Sequence, residues 1–407
     1  MSVDQQSSTQ PSSTQQTVAD LVVVGGGHAG HSAFSAYLKA GGPGPVILIS
    51  EDDTAPYRRP PLSKDFLRGE SGSDQLAMDP ADFYTGGDNE LLLDDAVTSI
   101  DTAKRMLHTR SGREITYRHC ILATGSAPTP LDVPGGDTAT GLRFLSEARE
   151  LRDAAQSATT AVVIGSGFIG CEASASLAVR GIAVTLVSTS SGPQEKRLGP
   201  DASSLISGWL EDAGVRMHHN TGVREIEAGH VVRLTDGTEL AADLVLNATG
   251  VTLRTELAEQ AGAEVREGRV VVDEQMRTSV PGLFAVGDVA LAMNTAAGRH
   301  LAVEHWNAAE RMGEVAGTVA AGGEAHWAEP LGFFSLIGHH LLKYAAWADG
   351  FDEAIPVHHE GGGLTVWYAR DGVTVGVLTS EADDDLDLGR KLLLQGAPPP
   401  VAPPNHG

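Results

Sequence analysis

The sequence predicts an α/β chain built from two Rossmann-like dinucleotide-binding domains, one nested in the other, followed by a C-terminal α+β domain. Three observations carry this: two copies of a strand, glycine turn and helix; three further apolar runs that end in glycine turns; and a change to short strands near Glu329. At 407 residues the chain exceeds the size at which one hydrophobic core usually stops growing, so several domains are expected. Its composition, 41% hydrophobic and 20% charged with 48 glycines, fits a soluble α/β protein.

Residues 1–19 are nearly all Ser, Thr and Gln and read as a tail that cannot bury enough apolar surface to order itself. The first copy of the repeat is an apolar strand over 21–24, the turn Gly25-Gly26-Gly27-His28-Ala29-Gly30, a helix to about residue 40 and a strand over 46–49. The second is a strand over 161–164, the turn Gly165-Ser166-Gly167-Phe168-Ile169-Gly170, a helix to about residue 180 and a strand over 183–187. In G-x-G-x-x-G the first glycine permits the tight turn, the second lets a pyrophosphate approach the backbone, and the third packs helix on strand. The helix N-terminus then faces the phosphates. Two turns in the correct context point to two dinucleotides.

Runs at 119–125 and 242–250 end in Ala-Thr-Gly, at Ala123-Thr124-Gly125 and Ala248-Thr249-Gly250, and another ends in Ala285-Val286-Gly287-Asp288. Each reads as a buried strand entering a turn beside a ligand. The expected domains are 20–135 with 254–328, the inserted 136–253, and 329–395, with a Pro-rich tail over 396–407.

Glu51, with Asp52 beside it, lies 21 residues after Gly30 at the end of the next strand, where an acid can accept hydrogen bonds from both ribose hydroxyls. At the second site the corresponding residue is Ser188. No carboxylate there repels a 2′-phosphate, and Ser188 to Ser190, Lys196 and Arg197 supply donors, which favours NADPH slightly over NADH. The alternative is a solvated loop that reads nothing.

The net charge of −24 disfavours nucleic acid and anionic membrane as partners. No stretch approaches the roughly 18 apolar residues of a spanning helix, and the first 20 residues lack a secretory pattern, so a cytoplasmic location is expected. Cys120 and Cys171 form no C-x-x-C pair. Cys171 opens the helix after the second turn, where a reactive thiolate is conceivable, although a packing role fits better. Three His-His pairs lack acidic or thiol companions at ligand spacing, so no metal site is expected.

Downstream of Glu51 the run Pro56-Tyr57-Arg58-Arg59-Pro60-Pro61-Leu62-Ser63-Lys64, together with both glycine turns, resembles the FAD-dependent ferredoxin reductases, a group that includes apoptosis-inducing-factor-like flavoproteins. The resemblance covers roughly 19–396. It implies FAD contacts from Gly25, Gly27, His28, Ala29, Gly30, Glu51, Asp52, Arg59 and Lys64, from Ala123, Thr124 and Gly125, and from Gly287 and Asp288. Glu304, His305 and Trp306 resemble the segment at the pyrimidine side of the flavin, with a core aromatic as the alternative for Trp306. NAD(P)H contacts fall to Gly165, Gly167, Phe168, Ile169, Gly170, Ser188, Arg197, Gly250 and Phe334. Lys64 and Glu172 resemble a catalytic pair beside the flavin and nicotinamide; the alternative is a salt bridge joining two domains.

Phe333-Phe334-Ser335-Leu336 stands where the family carries Phe-Trp-Ser-Asp, which changes stacking near the nicotinamide pocket. The resemblance implies hydride transfer from NAD(P)H to FAD, then electron transfer to an external ferredoxin serving a cytochrome P450 or oxygenase. Arg58, Arg59 and Arg68 are candidates for a basic docking rim. An NAD(P)H oxidase, a quinone reductase or tailoring flavoenzyme, and a redox-regulated flavoprotein remain open alternatives. The sequence does not set the oligomeric state; a homodimer is one admissible assembly.

Overall fold

The computed structural model describes residues 16–227 and 231–400. Its first sheet has seven strands. Gln16–Val24 lies between Val46–Ile49 and Glu114–Leu122, parallel to both, and Leu283–Ala285 joins in parallel beside Glu114–Leu122. Leu21, Val22, Val23, Ile47, Leu48 and Ile121 are all but inaccessible, as expected of parallel strands covered on both faces. The chain leaves this sheet after Leu122 and returns to it at Leu283, so the intervening domain is nested, as the repeat pattern implies.

Gln16–Val24 starts inside the segment expected to be a tail. Gln16 to Ala19 pair with Glu114 to Tyr117, so the long partner strand extends the ladder past the apolar run. Residues 1–15 and 401–407 lie outside the described residues.

The first sheet is mixed, with Met106–Thr109 antiparallel to both Glu114–Leu122 and Val97–Asp101; the second is parallel throughout, in the order Arg216–His218, Ala183–Val187, Thr160–Ile164, Leu244–Asn247. An antiparallel connection, Ser126–Pro128 against Val251–Leu253, joins it to the first. The third domain is a five-stranded antiparallel sheet over Leu331–Ile337, His340–Ala346, Glu353–His358, Leu364–Arg370 and Val373–Ser380, closed by the helix Asp383–Gln395. Asp371 and Gly372, at φ 52° and 75°, make the expected hairpin between its last two strands.

The helix His28–Lys39 packs on Trp306–Ala320, and two glycines set how closely. A Cβ on Gly313 would fall 2.3 Å from the Ala29 carbonyl oxygen, and one on Gly317 2.2 Å from that of Ala33. This contact holds the start of the first helix, Gly287-Asp288 and the His305–Trp306 segment together at one end of the sheet.

Candidate active site

Both glycine turns have the geometry that their spacing predicts. Gly25 and Gly165 take φ +121° and +106°, and a Cβ on either would lie within 2.3 Å of a carbonyl oxygen, that of Ala123 or Ala248. A Cβ on Gly30 or Gly170 would lie 1.9 Å from the oxygen of the turn's own first glycine. The middle glycines differ: a Cβ on Gly27 meets nothing within 4 Å, and one on Gly167 meets only the Gln194 amide at 3.8 Å. The two helices begin there, without a side-chain cap or an acidic residue in their first turns. Each therefore offers free backbone N–H groups to an anion.

Around the first turn the structure gathers cations and aromatic rings. Arg59 lies 5.7 Å from the ring centroids of Tyr57 and Phe144, and its buried Nε has no partner. The Nε of Arg143 is likewise buried and unpartnered, while its Nη2 donates to Asp288 Oδ2 at 3.3 Å. Ser126 Oγ donates to the same oxygen at 2.7 Å. His28 is 5.9 Å from Trp306, and His305 is 5.4 Å from Trp306 and 4.9 Å from Phe333. Two unsatisfied guanidinium donors, an open glycine cradle and a bare helix terminus fit the diphosphate of a dinucleotide such as FAD.

Lys64 and Glu172 meet between the two turns. Lys64 Nζ donates to Glu172 Oε2 at 2.5 Å and to the Pro60 carbonyl at 3.0 Å. Ser63 Oγ donates to Oε2 at 2.5 Å and Ser335 Oγ to Oε1 at 2.7 Å. The carboxylate, carried by the nested domain, thus has donors from both of the other domains, and all four side chains are largely buried.

Other expected positions divide. Glu51 stays at the rim, ion-paired with Arg254. Asp52 is committed to Tyr57: its buried carboxylate accepts from the Tyr57 hydroxyl at 2.7 Å, and that hydroxyl accepts from the Leu145 N–H at 2.9 Å. Thr124 donates its hydroxyl to the Arg254 carbonyl, and Glu304 pairs with Arg269. Ser188 is buried, its hydroxyl sharing a hydrogen bond with Ser166 Oγ at 2.7 Å and accepting from the Ser190 N–H at 3.1 Å, so it is engaged within the turn. A cleft of about 490 Å³ does open there, lined by Gly165, Gly167, Lys196, Arg197 and Gly250. Phe168 packs on Phe333, whereas Ile169 and Phe334 are exposed.

The basic rim does not form. Arg59 turns inward, Arg68 is tied to Asp65 and Glu70, and only Arg58 is exposed, its guanidinium donating to the Gln75 carbonyl.

Residues 19–313 match the family described as pyridine nucleotide-disulphide oxidoreductase. The chain belongs to that family. Within this oxidoreductase family it is 34% identical, over 93% of both chains, to the 5,5′-dehydrodivanillate O-demethylase ferredoxin reductase subunit of a Sphingobium species. It is also 34% identical to the rubredoxin-NAD(+) reductase of Pseudomonas putida, over 67% of this chain and 72% of that one. Among solved structures it resembles putidaredoxin reductase in its covalent complex with putidaredoxin, at TM-score 0.88 and 28% identity over 93% and 94% of the two chains. The ferredoxin reductase for the CYP199A2 system of Rhodopseudomonas palustris aligns at TM-score 0.87 and 31% identity, over 93% and 95%.

Unlike what the family's name suggests, this oxidoreductase has no cysteine pair. Cys120 and Cys171 are free and fully buried, and burial pushes both thiols up. Cys171 Sγ lies 3.6 Å from the Ser166 carbonyl, so the helix start does not make it a thiolate. Among the described residues no cluster of His, Cys, Asp or Glu has metal-site geometry, and no helix is long and apolar enough to cross a membrane.

No sequence signal singles out Arg143, Ser126 or Ser335. Arg143 sits in Gly141-Leu142-Arg143-Phe144, which carries no motif, and its role exists only through Asp288 and Arg59.

His28 and His305 are each pushed down to about 3, by burial first and then by Arg59 and Lys64 respectively. His305 Nδ1 accepts from the Asn307 N–H at 3.2 Å, as a neutral ring can. Both rings stay neutral in the fold but protonate in the unfolded chain below their ordinary 6.5. Stability is therefore lost as pH falls from 6.5 towards 3, by up to about 1.4 kcal/mol per pH unit for each ring. Thermal unfolding followed from about pH 7 to pH 4.5 should show this decline, and it should be shallower in the His28→Gln/His305→Gln variant. Equal slopes would refute the neutral-ring assignment.

Proposed function

We propose that this chain is an FAD-dependent NAD(P)H:ferredoxin-type reductase that prefers NADPH and passes electrons to a small ferredoxin- or rubredoxin-type carrier of an oxygenase or P450 system. The observation that carries the reading is the Lys64–Glu172 pair, buried between two open glycine turns and fixed by a serine on either side. Bound FAD would supply the capacity to accept a hydride and release electrons singly.

The protein's own residues supply alignment and charge. Lys64 keeps a cation at the junction of the two dinucleotide sites, where negative charge arrives, and Glu172 holds that cation in one position. Arg59 and Arg143 neutralise phosphate, and Trp306, His28 and His305 wall the ring side against water. Because neither cysteine can relay electrons, the acceptor is external. The names of relatives support a carrier protein, and the two free buried cysteines suit a cytoplasmic enzyme.

Preference for NADPH rests on the missing carboxylate at Ser188 and on Lys196 and Arg197 at the cleft, not on the Ser188 hydroxyl. Several relatives are named for NAD(+), so the test is direct. In anaerobic titrations of the FAD-loaded protein, NADPH should bleach the flavin at lower concentration than NADH. Lys196→Ala/Arg197→Ala should raise the KM for NADPH about tenfold, the loss of roughly 1.4 kcal/mol, and that for NADH less than twofold. Equal effects on both would show that Lys196 and Arg197 do not read the 2′-phosphate, and bleaching by NADH at the lower concentration would overturn the preference; failure of both nucleotides to bleach bound flavin would sink the reductase itself.

A second reading, direct reduction of a quinone or oxygen, draws on the missing basic rim and on exposed Phe334. Turnover with quinones that ignores salt, with no reduction of ferredoxin or rubredoxin, would favour it.

A further inference from the structure

The segment that lines the far side of the NAD(P) cleft is not held by the helix it begins. Lys196 and Arg197 lie in the first turn of Glu195–Asp212, but Gly199 interrupts that helix at φ 82°, ψ 173°, and Pro200 follows with no N–H to donate. The turn 195–198 is a separate piece, started by Gln194 at φ 56° and closed by bonds from the Arg197 and Leu198 N–H groups to the Gln194 carbonyl. The break removes the regular helical bond to the Leu198 carbonyl.

That carbonyl is satisfied from another domain. The hydroxyl of Tyr368, on the strand Leu364–Arg370, donates to Leu198 O at 2.7 Å. Tyr368 is 1% exposed, its ring packed on Phe351 at 4.6 Å and Tyr344 at 5.9 Å. The fit extends to Gly199, where a Cβ would touch Ala354 and Phe351 at 3.6 and 3.9 Å. Further along the same helix Trp209 stacks flat on His340, at 5.0 Å and 2°. A buried phenol has few partners to choose from, so this bond fixes where the turn sits.

We propose that Tyr368 is a positioning residue for nucleotide binding: through the Leu198 carbonyl, the C-terminal domain seats the turn that presents Lys196 and Arg197 to the NAD(P) cleft. The inference rests on the functional reading above, since it requires reduced nucleotide to bind in that cleft. It gives the third domain a task apart from the Ser335 contact to Glu172.

The test is Tyr368→Phe in the full-length, FAD-loaded protein, which keeps the ring and removes only the donor. Loss of one buried hydrogen bond of about 1 kcal/mol corresponds to roughly a fivefold change. The KM for NADPH should rise by that factor while kcat with ferricyanide as acceptor stays within twofold. A double-mutant cycle with Lys196→Ala should be non-additive, Lys196→Ala costing less in the Tyr368→Phe background than in the native protein. A lowered unfolding midpoint with unchanged KM, or full additivity, would reduce Tyr368 to a structural contact and overturn the proposal. If Lys196→Ala alone leaves the KM of both nucleotides unchanged, the cleft assignment itself has failed, a result distinct from failure of the role given to Tyr368.

Discussion

Replacing Lys64 with methionine is expected to slow anaerobic reduction of bound flavin by NAD(P)H roughly 100- to 1,000-fold, the range seen when one preorganised charge or donor is removed from a reacting centre. It should also lower the free energy of unfolding by about 3–5 kcal/mol, because the partner charge stays buried without compensation. Glu172 is only 4% exposed, and without Lys64 its carboxylate would keep just the Ser63 and Ser335 hydroxyls. Two neutral donors do not offset a buried anion. The paired variant Lys64→Met/Glu172→Leu separates the two roles, since removing both charges restores an apolar fit. Its unfolding free energy should return most of the way, measured by denaturant titration, while flavin reduction in stopped flow stays slow. Recovery of both would make the pair a strut between domains and nothing more. Loss of rate in the paired variant, with stability regained, assigns the chemistry to the charge.

What the sequence makes legible here follows from how local each signal is. The parallel strands that run into the two glycine turns are legible because they are largely apolar and the steric demands of those turns leave few substitutes. The start of the first strand is not, since Gln16 and Thr17 are polar and pair only because Glu114–Leu122 extends past the apolar run. Asp52 is harder to read: it follows the strand in an irregular bend, and only the fold shows that Glu51 meets Arg254 while Asp52 meets the Tyr57 hydroxyl. Lys64 and Glu172 are placed by resemblance, 108 residues apart, and the structure brings them to 2.5 Å. Ser335 lies inside the Phe333–Leu336 run, yet its value depends on a carboxylate 163 residues away, which no spacing rule reveals. The expected arginine rim dissolves because Asp65 and Glu70, close in sequence, claim Arg68 first.

The glycines of the first turn offer the second large effect, and an internal control. Gly27→Ala should leave the unfolding midpoint of the FAD-free protein within a degree or two, because φ −84° and ψ −171° suit any residue and the new methyl meets nothing within 4 Å. The same methyl occupies the space through which a diphosphate would reach the helix N-terminus. The Kd for FAD, read from quenching of flavin fluorescence, should therefore rise about tenfold or more. Gly30→Ala should do the opposite. Its methyl would fall 1.9 Å from the Gly25 carbonyl oxygen, so helix and strand must move apart, at a cost of about 3 kcal/mol or more whether or not FAD is present. If Gly27→Ala bound FAD as the native protein does, the open space beside Gly27 would not be the phosphate cradle, and the site would need a different occupant. Equal destabilisation by both variants would mean that the turn is a packing device alone. Only a turn shaped around a ligand separates the two, with one glycine required by the fold and its neighbour by what binds there.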